Sequence, residues 1–331
     1  MDNVTTVGID LAKNVFSLHG VDAGGAVVLR KTVSRARLME IVAQQPACLI
    51  GLEACSGAHE WARRFQALGH TVKLMAPRFV APYRKNGKND GNDAAAICEA
   101  VTRPSMRFVP IKTLEQQAVL CLHRVRQGFI EERTATINRL RGLLAEFGFV
   151  LPQKAAEVRR RATEWLEQLP VHAACAIRDL REHLRVLDAR VKEYERSIEA
   201  HARDHDGAKL AQQRQGIGPL TASAIVASVG DVREFKNGRQ FAAWLGLVPR
   251  QHSTGGKQRL GHITGRGDPY LRTLLVMGAR SVLQRASSQT DPLSRWALAV
   301  RGRRGYHRAC IAVAAKNARV VWALLNQHAC A

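Results

Sequence analysis

Two strand-like runs that each end in a carboxylate constrain this chain more than any other feature. Thr5-Thr6-Val7-Gly8-Ile9 leads into Asp10, and Cys48-Leu49-Ile50-Gly51-Leu52 leads into Glu53. Asp90 and Asp93 stand three apart at the start of a helical stretch, Asp90-Gly91-Asn92-Asp93-Ala94-Ala95-Ala96-Ile97. An i, i+3 pair shares one helix face, so carboxylates from two strand ends and one helix can meet at a point. Four such acids suit two hard divalent cations roughly 4 Å apart, the arrangement used on phosphodiesters. Each acid also has a plainer reading. Asp10 and Glu53 are acceptable as loop acids at strand ends, and Asp90 as the cap of the helix that contains Asp93.

The surrounding pattern alternates strands and helices. Strands are expected at 4–9, 15–20 and 26–29, the last after the Gly24-Gly25 turn signal, with a helix at about 34–44. The strand ending at Glu53 follows, then an amphipathic helix from Glu60 to Leu68 that stops at Gly69, and a strand at 71–75 that ends at Pro77. This β-β-β-α-β-α-β-α order is what a ribonuclease H-like α/β domain requires, although periodicity alone gives only a mixed α/β domain. Residues 113–147 turn helical, with Arg124, Arg126, Arg133, Arg139 and Arg141 on a charged face, and Pro152 closes the stretch. Ile177, Leu180, Leu184, Leu187, Val191, Tyr194 and Ile198 then alternate by three and four. That spacing fits either an intermolecular coiled coil or an antiparallel helix pair inside one chain. The pattern divides the chain into an α/β domain over 1–110, a helical segment over 111–210 and a mostly helical domain over 211–331.

The last domain opens on Gly216-Ile217-Gly218-Pro219, which resembles the turn of a helix-hairpin-helix. In such a turn, glycine lets backbone amides approach a phosphate and the next helix adds its dipole. A Gly-Pro loop opening a buried helix is the plainer alternative. Further on, Ser253-Thr254-Gly255-Gly256 is flanked by Lys257 and Arg259, with Arg266 and Arg272 beyond. A serine in such a loop either attacks a phosphate while the cations stabilise the developing charge, or serves as a hydrogen-bond donor or turn former.

Charge points to a polyanionic partner. The 331 residues carry a formal charge of +22, and residues 216–331 hold 17 basic and 4 acidic side chains, an excess of 13. Clustered Lys and Arg gain affinity by releasing counterions from phosphates. A membrane partner is not expected, because no uninterrupted run of about 18 apolar residues occurs and Met1-Asp2-Asn3 begins no signal peptide. The seven cysteines, Cys48, Cys55, Cys98, Cys121, Cys175, Cys310 and Cys330, show no metal or disulfide spacing and read as small core residues in a reducing cytoplasm. Cys55, two residues past Glu53, is the one placed to line a site.

Taken together, the four acids, the Lys88-Asn89-Asp90 segment, Ile137-Asn138-Arg139-Leu140-Arg141-Gly142-Leu143-Leu144, and the block from Leu245-Gly246-Leu247-Val248-Pro249 to Ser253-Thr254-Gly255-Gly256 resemble the DEDD transposases of insertion-sequence family 110, including its 1111 subgroup. The resemblance implies a ribonuclease H-like (RuvC-like) N-terminal domain, a helical coiled-coil segment and a C-terminal transposase domain. It further implies Mg²⁺, with Mn²⁺ able to replace it, on Asp10, Glu53, Asp90 and Asp93, and a covalent serine nucleophile that falls on Ser253, with Thr254 as the neighbouring hydroxyl. Gly265 stands where relatives often carry lysine. The implied partners are an element-encoded guide RNA, called a bridge or seeker RNA, and donor and target duplex DNA. Dimers would pair into a tetramer, with the acids of one subunit beside the serine of another, in the bacterial cytoplasm at the nucleoid. The alternatives are a RuvC-like junction nuclease that uses water, and a non-enzymatic basic protein that binds RNA or DNA.

Overall fold

A computed structural model describes residues 3–84 and 90–330, which fall into two compact units, one ending at Thr113 and one beginning at Leu114. Lys88 and Asn89 of the resemblance segment, and Met1 and Asp2, lie outside the described residues.

The first unit contains β1 (Thr6–Asp10), β2 (Val15–Val21), β3 (Val27–Ser34), α1 (Leu38–Ala43), β4 (Leu49–Glu53), α2 (Ala58–Ala67), β5 (Thr71–Met75), the short α3 (Pro77–Val80), α4 (Asp90–Val101) and β6 (Phe108–Val109). The strands form one sheet in the order β3-β2-β1-β4-β5-β6. β1, β4 and β5 run parallel, β2 is antiparallel to both β1 and β3, and β6 is antiparallel to β5. This is the mixed α/β sheet that the strand-helix alternation requires.

β1 and β4 are covered on both faces, which is why they read as continuous apolar runs rather than alternating ones. Val7, Ile9, Ile50 and Leu52 join one buried cluster with Leu38 of α1 and with Trp61 and Phe65 of α2. The opposite face carries Gly8 and Gly51, which are register partners on adjacent strands. A Cβ on Gly8 would sit 2.2 Å from the Ala94 carbonyl oxygen, and one on Gly51 would sit 2.8 Å from Val101 Cβ. The two glycines therefore form a saddle on which the backbone of α4 rests.

Two boundaries differ from the sequence expectation. β3 extends to Ser34 because it stays paired along β2, with Ser34 opposite Val15, and this delays the helix start to Leu38. β6 has only two residues, too few for a period-2 pattern to be seen.

The second unit contains α5 (Leu114–Ala145), α6 (Ala155–Arg161), α7 (Val171–Asp204), α8 (Asp206–Gln212), α9 (Pro219–Val229), α10 (Gly238–Trp244), a hairpin of β7 (Pro249–Gln251) and β8 (Leu260–Ile263), α11 (Pro269–Arg285), α12 (Pro292–Arg304) and α13 (Tyr306–Cys330). α5 and α7 lie antiparallel, as shown by Arg126 paired with Glu195, Arg133 with Asp188, and Phe129 packed edge-on against Tyr194. The heptad seam of α7 thus finds its partner inside the chain: Ile177, Leu184, Leu187, Val191 and Ile198 are buried, and Leu180 and Tyr194 half-buried. α11 and α12 each begin at an Asp-Pro pair, where the Asp268 and Asp291 carboxylates accept backbone N–H groups of the first turn.

A buried polar network ties α5, α7, α9 and α11 together. His123, 1% exposed, lies 2.9 Å from Tyr270 Oη and 2.9 Å from Ser223 Oγ, and His201 Nδ1 lies 2.9 Å from the same Ser223 oxygen. Burial, reinforced by Arg126 and His201, pushes His123 down to about 4, so its imidazole is neutral at pH 7. α13 is, among the described residues, the one helix long and apolar enough to cross a membrane. Its apolar residues recur at helical spacing with Arg308, Lys316 and Arg319 between them. The stripe Ala309, Val313, Ala314, Ala318, Val321 and Leu325 is part of the unit's own core.

Two glycine substitutions should behave oppositely. Gly8→Ala forces α4 off the sheet and should destabilise by about 1–3 kcal/mol or more, as overpacking does. Gly128→Ala, mid-α5 with open space around its Cβ position, should stabilise by about 0.5–1 kcal/mol. Urea unfolding midpoints check both signs.

Candidate metal site and nucleic-acid interface

Because β1 and β4 are neighbouring parallel strands, their C-terminal ends set Asp10 and Glu53 side by side. The glycine saddle brings in the first turn of α4, which carries Asp90 and Asp93, where the helix dipole favours negative charge. One carboxylate oxygen from each of Asp10, Asp90 and Asp93 lies within 4.8 Å of the other two. Glu53 stands beside this trio but is engaged elsewhere. Arg84 donates from Nη2 to Glu53 Oε1 at 3.2 Å and from Nε to Asp93 Oδ1 at 2.8 Å.

Asp10 registers the crowding. Its carboxyl is pushed up to about 6, first by burial and then by the charges of Asp93, Glu53 and Asp90, with Arg84 acting in the opposite direction. An all-oxygen donor set whose members repel one another matches a hard divalent cation of the Mg²⁺ or Mn²⁺ type. The Cys55 thiol is raised by the protein packed around its base and by the Asp10 and Glu53 charges, which disfavours a thiolate there. The cysteines also depart from the core reading. Cys48, Cys98 and Cys310 are buried, but Cys55, Cys121 and Cys175 are on the surface, where a small side chain costs little.

Ser253 lies on the hairpin of β7 and β8. Gly255 and Gly256 have φ of 53° and 75°, the positive pair that a two-residue type I′ turn needs, and the Lys257 amide donates to the Thr254 carbonyl at 3.0 Å. Thr254 is therefore a turn residue. Ser253, one step back, has its Oγ accepting from Gln251 Nε2 at 2.9 Å and from the Arg259 amide at 3.4 Å. Ser253, Thr254, Lys257 and Arg259 are all exposed.

The remaining basic candidates divide. Arg124, Arg139 and Arg266 are exposed and face solvent. Arg126 is not available to a phosphate, because it is 9% exposed and its guanidinium is paired with Glu195. Arg133 is half-buried on Asp188, Arg141 holds the backbone carbonyls of Pro152 and Gln153, and Arg272 donates to the Leu245 carbonyl at 3.3 Å. Gly216, at φ +86°, lets its loop pack against Gly278 of α11, while Gly218 is exposed at the start of α9. α9 itself is buried almost all round, so the helix-hairpin-helix-like turn opens a core helix.

Sequence reasoning passed over the corner between α12 and α13. There Arg304, His307 and Arg308 line a groove of about 870 Å³ with Pro249, Leu260 and Ile263 of the hairpin. The signal was present as four arginines within Arg301–Arg308. Arg84 carried no such signal, since no spacing relates it to the acids.

Known proteins resemble this chain along nearly its whole length. One family model, described as a transposase of the DEDD type of insertion sequence 110, matches residues 7–149, and another, described as the IS116/IS110/IS902 transposase family, matches residues 208–294. A "Probable family 20 transposase" of Pseudomonas aeruginosa is 49% identical over 99% of this chain and 98% of its own length. The chain belongs to the IS110/IS116/IS902 transposase family. The IS1111A transposase of Coxiella burnetii (41% identical, covering 99% of this chain and 91% of its own) and the IS1328 transposase of Yersinia enterocolitica (42%, covering 99% and 98%) also align along nearly the whole chain. This transposase is accordingly an enzyme of DNA transposition, which cuts and rejoins DNA. The first matched region contains all four acids, and the second contains Ser253 and its hairpin.

In the metal-free transposase the folded state holds the Asp10 proton to about pH 6, whereas the ordinary value is 3.8. The folded state thus binds more protons between these values, and this group's contribution to stability falls as pH rises through that window. Asp10→Asn should flatten the slope and raise the metal-free melting temperature at pH 7. Thermal melts across pH 4–7 measure it, and an unchanged slope would show that burial and the neighbouring charges do not raise the Asp10 carboxyl as described.

Proposed function

We propose that this transposase exchanges DNA strands under the guidance of an element-encoded bridge or seeker RNA, through a covalent phosphoserine on Ser253. The observation that carries the reading is the convergence of Asp10, Asp90 and Asp93 within 4.8 Å at the end of the sheet. The strand order β3-β2-β1-β4-β5, with β2 antiparallel, supports a ribonuclease H-like fold for this unit. Mg²⁺, or Mn²⁺ in its place, held by Asp10, Glu53, Asp90 and Asp93 would polarise the scissile phosphate and stabilise the leaving oxygen.

The chain's own residues perform the remaining work. Ser253 Oγ forms a bond to phosphorus as the bond from phosphorus to the sugar oxygen breaks, the serine proton ends on that leaving oxygen as a sugar hydroxyl, and a hydroxyl of the exchanged strand later reverses the step. Attack uses an oxygen lone pair, so the Gln251 or the Arg259 contact opens as the hydroxyl turns to the phosphate. Lys257 and Arg259 are placed on the same hairpin to offset charge on the phosphoryl group. Retaining the bond in a phosphoserine lets strands be rejoined without an outside energy source.

The helical segment 111–210 and the domain 1–110 are proposed to hold chiefly RNA, through Arg124 and Arg139. Residues 211–331 would touch chiefly DNA through Gly218, Lys257, Arg259, Arg266 and the Arg304–Arg308 corner. The excess of 13 positive charges in 216–331 supports that division. Dimers pairing into a tetramer would assemble on donor and target DNA at the bacterial nucleoid.

A nicked suicide substrate that prevents rejoining should leave protein covalently attached to a DNA end. Ser253→Ala should abolish the adduct, Thr254→Ala should retain it, and alanine at any of the four acids should abolish cleavage. Cleavage without an adduct would mean that water is the nucleophile, and an adduct lost only in Thr254→Ala would move the nucleophile by one residue. Separately, duplex affinity should fall with salt at about −0.9 log units per log unit for each phosphate contacted, and sequencing of co-purifying RNA should return a segment of the element. Random cellular RNA would overturn the guidance.

A further inference from the structure

Among the described residues, the mutual carboxylate group holds Asp10, Asp90 and Asp93 and stops short of Glu53, and one basic side chain links the fourth acid to the three. The Arg84 guanidinium bridges Glu53 at 3.2 Å and Asp93 at 2.8 Å. It reaches across the sheet end to one acid from β4 and one from α4. Both acid side chains are 13% exposed while that of Arg84 is 37% exposed, so the arginine approaches from the solvent side. It occupies the sector in which Glu53 and Asp93 would face a cation. A guanidinium keeps its charge at any pH a protein meets, so it cannot be neutralised in place and can only be displaced.

The trio supplies enough oxygens for one ion, whereas two-ion phosphoryl chemistry draws on the fourth acid as well. We propose that Arg84 is a built-in counter-ion that competes with the second divalent cation, so that this ion binds only when Arg84 releases Glu53. The first ion goes to Asp10, Asp90 and Asp93, among which Arg84 is bonded to one oxygen of Asp93. Arg84 is in this sense a positioning residue, tying Glu53 to Asp93 and balancing the acids until the second ion arrives. The inference rests on the reading of the four acids as the metal site.

Mn²⁺ binding to the full-length protein without nucleic acid, followed by calorimetry and by electron paramagnetic resonance counting of bound ions, tests this without any turnover. The wild type should bind one ion tightly and a second more weakly. Arg84→Gln should tighten the second ion about tenfold and change the first less than threefold, while lowering the metal-free melting temperature. Arg84→Lys, which keeps the charge but not the two-point bridge, should fall between, and it carries the test if the glutamine variant fails to fold. A second-ion affinity that is unchanged or weaker in both variants would overturn the role of Arg84. Asp10→Asn separates the two readings. If it leaves tight Mn²⁺ binding intact, the acids are not the metal site at all; if it removes that binding while the Arg84 variants behave as wild type, only the counter-ion role fails.

Discussion

The site depends on one steric permission, the absence of side chains at Gly8 and Gly51. These two residues lie opposite each other on β1 and β4, and the helix that carries half the acids lies against them. A methyl group at Gly8 would meet the Ala94 carbonyl at 2.2 Å, a distance that no rotamer change relieves because both partners are backbone. The acids of α4 reach the strand ends only because α4 is this close. Glycine in a central strand is otherwise unfavourable, having entropy to lose and nothing to pack, so its presence on both neighbouring strands marks a close approach.

Electrostatics divides the molecule into two regimes. The chain as a whole is strongly cationic, yet its first unit gathers four carboxylates at one end of the sheet, where burial and then the charges of Asp93, Glu53 and Asp90 push the Asp10 carboxyl up to about 6. Such a cluster is tolerable because positive charge is at hand in Arg84, which bridges Glu53 and Asp93. In the second unit the hairpin and the α12–α13 corner present cations to solvent, whereas several arginines of α5 are turned inward. There Arg126 and Arg133 bind Glu195 and Asp188 across the helix pair.

How much of this could be read from sequence followed from the range of the interactions. The places of Asp10, Glu53, Asp90 and Asp93 in the fold were legible because each is fixed by a local pattern, a strand end or an i, i+3 pair. The helix seam was legible as a seam, but not its partner. That depended on α5, whose charges meet those of α7 only after the chain has folded back, as with Arg126 and Glu195, 69 residues apart. The same folding-back removed Arg126 from the surface face on which its spacing placed it. Arg84 was invisible for the complementary reason: it touches Glu53, 31 residues earlier, from the end of a single 3-10 turn, Ala81–Tyr83, too short for a periodic pattern. Gly8 and Gly51 were in plain view inside the quoted strands, and their meaning emerged only with α4 on top of them.

The α5–α7 pair also has a mechanical consequence. At about 1.5 Å of rise per residue, the 32 residues of α5 make a rod of about 48 Å, longer than one turn of duplex DNA at about 34 Å. Its apolar seam and cross-helix ion pairs resist bending and sliding, so the rod transmits angle: a few degrees of rotation at one end become several ångströms of travel at the other.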